Sequence, residues 1–246
     1  MNDLQDILQN TDLGAQELLI EAIAWLQSHP ECLEGLQRDS TLKTLQTDRP
    51  SMVGFSVLAD RLETGLDQGA EARKLLQEFR TEIETSTARI AQNLYPILQP
   101  TAPARVLTLS YSSTLREVLL NVSDLIAAVH VLESQPGGEG KRFAKDLRTE
   151  QIEATVYPDN KLEFLVKECH VGIIGADTVF PDGSVLNKTL SRELGQSLSE
   201  AGKPFYVLAS RWKHSPESFS PDRLSEPDRK LFERVPPEII SAIVSD

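Results

Sequence analysis

The side chains with the most chemical potential cluster in and around one stretch, residues 171–191, VGIIGADTVFPDGSVLNKTLS. Its almost unbroken apolar start, closed by Gly175, predicts a strand buried on both faces of a parallel sheet. Asp177 then falls just past the strand's carboxyl end, where open α/β sheets bind small ligands, so its carboxylate is a candidate acid or base. Beyond the Asp182-Gly183 turn, Asn187 and Lys188 are predicted to open the next helix, where an ammonium beside free helical N–H groups would attract an anion. The plainer alternative is that Asp177 caps a turn and Lys188 is solvated. A second cluster, Thr108, Ser110, Ser112, Ser113 and Thr114, crowds the turn after an earlier apolar run. Hydroxyls and free amides there can cradle a phosphate, or one of them can simply cap the following helix. Arg49, fixed by Pro50, could aim a bidentate fork at a phosphate or could be an ordinary loop charge.

Several familiar chemistries are excluded by spacing. PGGEGK, residues 136–141, lacks the phosphate-loop pattern, because Gln135 and Arg142 stand where glycine and a hydroxyl residue are needed. No Gly-x-Gly-x-x-Gly opens a helix, so no dinucleotide cofactor is implied. His130 sits alone in a β-rich run, and Cys32 and Cys169 have no metal-ligand spacing, so no metal site is expected and Cys169 reads as a small buried thiol.

These groups need elements to hold them, and the chain supplies two textures. Over residues 3–95 apolar side chains recur at helical spacing, as in Leu18, Leu19, Ala22, Ile23 and Leu26 and in Leu75, Leu76, Phe79 and Ile83. Breakers at His29-Pro30, Arg49-Pro50-Ser51 and Gly69 predict about four or five helices. Residues 96–104, PILQPTAPA, read as a linker or a rigid start to a second domain, 105–246. There, β-rich runs at 106–110, 126–133, 154–157, 171–176 and 204–209 alternate with helical stretches at 114–121, 141–147, 161–169 and 187–201. This order predicts an α/β fold with a doubly wound parallel sheet. Residues 214–230 read as irregular, and 234–244 as a short terminal helix with proline in its first turn, its stripe Ile239, Ile240, Ile243 and Val244 docking on the sheet or on a partner.

Length, 246 residues, suits one large domain or two small ones. The net charge of −12, from 25 basic and 37 acidic residues, argues against nucleic acid as a partner. No apolar run of about 18 residues and no basic-then-apolar start is present, so neither a membrane span nor a signal peptide is expected, and the cytoplasm is the expected location.

Read together, Arg49-Pro50-Ser51 ahead of a helix, residues 107–112, Glu133-Ser134-Gln135-Pro136 with Gly140-Lys141, Gly175-Ala176-Asp177, Gly183 with Asn187-Lys188, residues 204–213 and Pro236-Pro237-Glu238 resemble the eukaryotic translation initiation factor 2B alpha/beta/delta family. That family includes methylthioribose-1-phosphate isomerase and ribose-1,5-bisphosphate isomerase. The resemblance implies a helical N-terminal domain and a Rossmann-like C-terminal domain of the NagB/RpiA/CoA transferase type. It also implies a homodimer or larger assembly and a pocket for a sugar phosphate or nucleotide monophosphate, with no cofactor. The family's isomerases pair a cysteine after the first sheet strand with the aspartate of Gly-Ala-Asp; Asp177 matches and Ser110 takes the cysteine's place. Their Glu-Thr-Arg-Pro arginine is Gln135 here, as in the non-catalytic alpha subunit type, and their early Arg-Gly-Ala is Leu13-Gly14-Ala15. Ligand-binding roles are implied for Arg49, Tyr111, Ser112, Gln135, Asn187, Lys188 and Lys213. A phosphosugar-binding regulatory protein, a sugar 1-phosphate aldose-ketose isomerase using Asp177 and Ser110, and an assembly subunit with a vestigial pocket are the three functions to separate.

Overall fold

A computed structural model describes residues 3–10 and 13–246; Met1 and Asn2, which begin the polar start of the chain, lie outside it. The helical half comprises α1 (Leu4–Gln9), α2 (Ala15–Ser28), α3 (Gly35–Thr47), α4 (Gly54–Asp67) and α5 (Ala72–Leu98). Apolar stripes on α2 and α4, with Phe55, Leu58, Ala59 and Leu62 on the latter, meet Leu76, Phe79 and Ile83 of α5 and Trp212 in one core. The second half of α5 turns Ile90, Ala91, Leu94 and Leu98 into a different core, that of the sheet. One helix therefore carries both cores.

The proline-bearing run 96–104, expected as a linker or a rigid entry into the sheet half, is regularly structured for most of its length. Helix α5 continues through Pro96 to Leu98, followed by a 3-10 turn at Gln99–Thr101 and a cis Ala102–Pro103 bond. A proline here removes a hydrogen bond only from the last helical turn, while buried Leu94 and Leu98 hold the segment down.

The sheet is built from β1 (Ala104–Leu109), β2 (Ile126–Leu132), β3 (Ala154–Tyr157), β4 (Val171–Gly175), β7 (Phe205–Leu208) and β9 (Ala242–Val244), in the order β3-β2-β1-β4-β7-β9 and parallel throughout. Helices α6 (Ser113–Asn121) and α7 (Gly140–Thr149) join α5 on one face, burying Leu115, Val118, Phe143 and Leu147. Helices α8 (Leu162–Glu168) and α9 (Ser191–Glu200) cover the other with Leu162, Leu165, Leu194 and Leu198. This is the doubly wound α/β sheet that the alternating pattern predicts. Among the described residues no helix is long and apolar enough to cross a membrane.

Two local expectations are corrected. Asn187 and Lys188 do not open a helix: they end β6 (Val185–Lys188), which lies antiparallel between β5 (Thr178–Val179) and β8 (Phe232–Val235), the latter preceded by α10 (Asp228–Leu231). The turn is closed by Asp182, which accepts hydrogen bonds from the backbone N–H and hydroxyl of Ser184, and Gly183 sits at φ 80°. The second correction concerns the terminus. A 3-10 turn at Pro237–Ile239 leads into β9, which pairs with β7, and Val244 is buried while Ile239, Ile240 and Ile243 pack against the core of the second face. The apolar stripe is thus spent within the chain, and it no longer argues for a partner surface.

Removing residues 237–246 takes away this edge strand. At about 1.5–3 kcal/mol for each fully buried apolar side chain, and less for half-buried ones, the loss should be about 2–4 kcal/mol, read as a lower urea midpoint. An unchanged midpoint would show that β9 adds nothing to the fold.

Candidate functional site

Strand order reverses between β1 and β4, and these two strands pair only at Val106–Val171 and Leu107–Gly172. Beyond that point they part, and the crevice between their carboxyl ends receives the turn after each. After β1, Ser110 adopts φ 60°, and its N–H donates to the hydroxyl of Ser134 at 2.6 Å. Ser134 follows β2, and the N–H groups of Ser134 and Gln135 both donate to the carboxylate of Asp159 at 2.8 Å. Ser112 then caps α6 by accepting from the Leu115 N–H. Gly175, across the crevice, allows the two turns to touch: a Cβ there would lie 2.6 Å from Ser112 Oγ.

After β4 the backbone N–H of Asp177 bonds to Leu186 O at 2.9 Å, so the β5–β6 hairpin folds back over the crevice and returns Asn187 and Lys188 to it. Asn187 is fixed by donating to Ser191 Oγ at 2.9 Å. Lys188 is buried, and its ammonium meets Glu139 Oε1 at 2.5 Å. Lys213, in the 3-10 turn after β7, is buried too and donates to Ala176 O at 2.8 Å. Arg49 enters from the helical half, its guanidinium donating to the carbonyls of Leu8 and Asn10 behind α1.

These side chains border one cavity of about 100 Å³. Of the residues singled out by sequence, Arg49, Ser110, Tyr111, Ser112, Asp177, Asn187, Lys188 and Lys213 line it. Gln135 does not: it is exposed on the turn before α7. Gln16, Met52 and Glu139 line it unannounced. Only Glu139 had a legible signal, since PGGEGK places an acid in a glycine turn that must open a helix. Among the described residues no group of three His, Cys, Asp or Glu side chains is arranged to hold a metal ion.

The electrostatics of the cavity are those of charges withdrawn from water. Asp177 keeps part of its surface on the cavity but lies deep in the chain, and lost hydration pushes its carboxyl up to about 6 against the opposing pull of Lys213 and Lys188. Burial, with Asp228 adding to it, outweighs three cations here, Arg49 being the third. The same desolvation lowers Lys213, with Asp177 opposing it, and lowers Arg49, with Asp228 and Asp177 opposing it. Tyr111 is pushed up to about 12, first by burial and then by Glu17, to which its hydroxyl donates at 3.3 Å. Arg142 stacks on its ring at 4.1 Å. A near-neutral acid, two buried ammonium groups, a guanidinium and a hydroxyl-rich turn around a small cavity suit an anionic, hydroxylated small molecule.

The fold and this crevice define an α/β protein with a small cavity at its topological switch point. The family model described as the Initiation factor 2 subunit family matches residues 15–234, and the chain belongs to that family. It is 38% identical over 110 residues to an eIF-2B subunit 2-like translation initiation factor of Pyrococcus furiosus, a match covering 44% of this chain and 40% of the relative. It is 31% identical over 108 residues to ribose 1,5-bisphosphate isomerase of Archaeoglobus fulgidus, covering 44% and 34%. These matches span less than half the length of either relative. The crystal structure of the Pyrococcus horikoshii OT3 translation initiation factor eIF-2B superposes with a TM-score of 0.78 at 24% identity, covering 98% of this chain and 93% of that one. The tetrameric eIF2B-beta2-delta2 complex from C. thermophilum gives 0.71 at 17%, covering 98% and 86%. Both share the fold.

The raised Asp177 value makes a thermodynamic prediction. Ionising a carboxyl whose folded-state pKa is raised costs folding energy, so its favourable share of stability is present below about pH 4 and is lost as pH rises through about 6. Asp177→Asn should therefore stabilise the protein by about 1–3 kcal/mol at pH 8 and by nothing near pH 4, measured as paired urea melts. Destabilisation at pH 8 would mean that Lys213 and Lys188 need the charge more than the interior resists it.

Proposed function

We propose that this chain is an initiation factor 2B alpha/beta/delta-like protein that binds a sugar phosphate or nucleotide monophosphate in the switch-point cleft and acts through that binding rather than through turnover. The observation that carries the reading is the convergence of buried Lys188 and Lys213 with Arg49 and the Ser110–Ser112 turn on one cavity. Buried cations are costly unless an anion or a full set of hydrogen bonds answers them, and a phosphate answers several at once. Binding without turnover is supported by Ser110, whose hydroxyl is a far weaker proton donor than the thiol at the matching place in the family's isomerases.

Calorimetry with a panel of sugar phosphates and nucleotide monophosphates tests the binding, and NMR of the same mixtures tests turnover. Saturable binding with no isomer conversion is expected. Failure of every compound to bind overturns the reading. Within this reading, Lys188→Ala should lower affinity by about 10- to 100-fold, since a buried charge-assisted contact is worth about 1.5–3 kcal/mol, and it should also lower the urea midpoint because Glu139 loses its partner.

A second reading, an aldose-ketose isomerase of a sugar 1-phosphate, is favoured by Asp177, whose carboxyl titrates near neutrality as a proton shuttle between adjacent carbons requires. Conversion of ribose 1,5-bisphosphate or methylthioribose 1-phosphate that Asp177→Asn abolishes and Ser110→Ala sharply reduces would establish this reading over the first. Assembly as a homodimer or larger family-type oligomer is proposed on the strength of the tetrameric eIF2B neighbour. Sedimentation showing only monomer at micromolar concentration would overturn it.

A further inference from the structure

Glu139 has no part in either reading, yet it stands in the cleft. It ends the turn ahead of α7, and its Oε1 is held by Lys188. The other oxygen, Oε2, is buried and finds no hydrogen-bond partner among the described residues. The turn is shaped to send this carboxylate inward. At Gly140 a Cβ would sit 2.1 Å from Leu132 O, so that residue can approach the end of β2 only as glycine. At Gly137 a Cβ would sit 2.3 Å from Glu139 Oε1, so the carboxylate lies against bare backbone.

A buried carboxylate oxygen without a donor is costly, and because Glu139 lines the cavity, a ligand bound there is a source from which its carboxylate can gain one. A sugar hydroxyl can donate to it. A phosphate oxygen at neutral pH cannot, and a second anionic group brought against Glu139 meets like charge at short range. Lys188 is also shared, since its ammonium can face a phosphate only while it faces Glu139. Arg49, Lys188 and Lys213 thus face Asp177, Glu139 and the buried Asp228, three cations against three carboxylates, which leaves no surplus positive charge for a second phosphate.

We infer that Glu139 is a specificity-determining residue of this cleft: it selects a ligand that presents a hydroxyl beside one phosphate and rejects a ligand carrying a second phosphate at that end. The inference rests on the cleft being a sugar phosphate site, and it names the class of sugar phosphate taken.

The test is calorimetric titration of the whole chain, wild type and Glu139→Gln, with ribose 1-phosphate, ribose 5-phosphate and ribose 1,5-bisphosphate at pH 7.5. Wild type should bind the better monophosphate about tenfold or more tightly than the bisphosphate. Glu139→Gln keeps the shape and removes the charge, and it should bring the two within about threefold, chiefly by tightening the bisphosphate. A wild type that binds the bisphosphate as tightly as the monophosphates overturns the inference while the cleft remains a sugar phosphate site. So does a folded variant with an unchanged ratio. A wild type that binds none of the three overturns the inference together with the proposed site. The wild-type ratio is decisive without the variant, so the test survives a variant that does not fold.

Discussion

The structure depends on one topological constraint, the reversal of strand order between β1 and β4. A parallel sheet wound from the middle outwards must send its first crossover to one face and a later one to the other, and the two strands at the reversal cannot both be covered at their carboxyl ends. Here they pair at only two register positions before parting. Everything chemical hangs on that gap. Ser110 to Ser113 close it from one side and Ala176 and Asp177 from the other, with Gly175 allowing Ser112 to approach. The roof is supplied by the helical half, and α5 keeps it in place because its two ends belong to two cores. Arg49 reaches the cavity from a turn in that half, so the site exists only while both cores are formed.

Placing charges in such a gap creates a competition between hydration and pairing. Asp177 shows which side wins: Lys213 and Lys188 favour its ionised form, yet desolvation still carries the carboxyl up to about 6. Lys188 shows the other outcome, a buried ammonium answered at contact distance by Glu139. A buried pair of this kind gives little net stability, because the cost of stripping water from both ions offsets their attraction. An anion entering this cavity would have to share a cation that is already engaged.

Much of this was legible in sequence where the signal was local. The run VGIIG announced β4, because a strand buried on both faces has nothing polar to interrupt it. Asp177 followed from the rule that ligands gather beyond such strand ends. Asn187 and Lys188 do line the cavity, but the sequence assigns them to the wrong element, since a four-residue strand is specified mainly by its partners, and β8 lies more than forty residues further on. The same holds for β9: three residues after a diproline read as a helix until β7 is there to pair with them. Gln135 was carried by family resemblance alone, and the Asp159 carboxylate that fixes its backbone turn lies 24 residues away, leaving its side chain on the surface. Glu139 sits in a glycine turn that does not meet the phosphate-loop pattern, and its partner Lys188 lies 49 residues further on.

The proton inventory of the cleft bears on what the chain can do with a bound sugar. Moving a proton between adjacent carbons, and adjusting the hydroxyl and carbonyl oxygens beside them, calls for at least two groups that exchange protons readily near neutral pH. Asp177 is one such group. Tyr111, pushed to about 12 and engaged with Glu17, is removed from that role. Lys213 is lowered by burial, but its ammonium is spent on Ala176 O and balanced by Asp177. Ser110 offers only a hydroxyl, on a backbone that the Ser134 side chain holds in a left-handed conformation. One group near neutrality among several fixed cations is the proton inventory on which the proposed binding role rests, and the departure at Ser110 and the burial of Tyr111 support that proposal by separate routes.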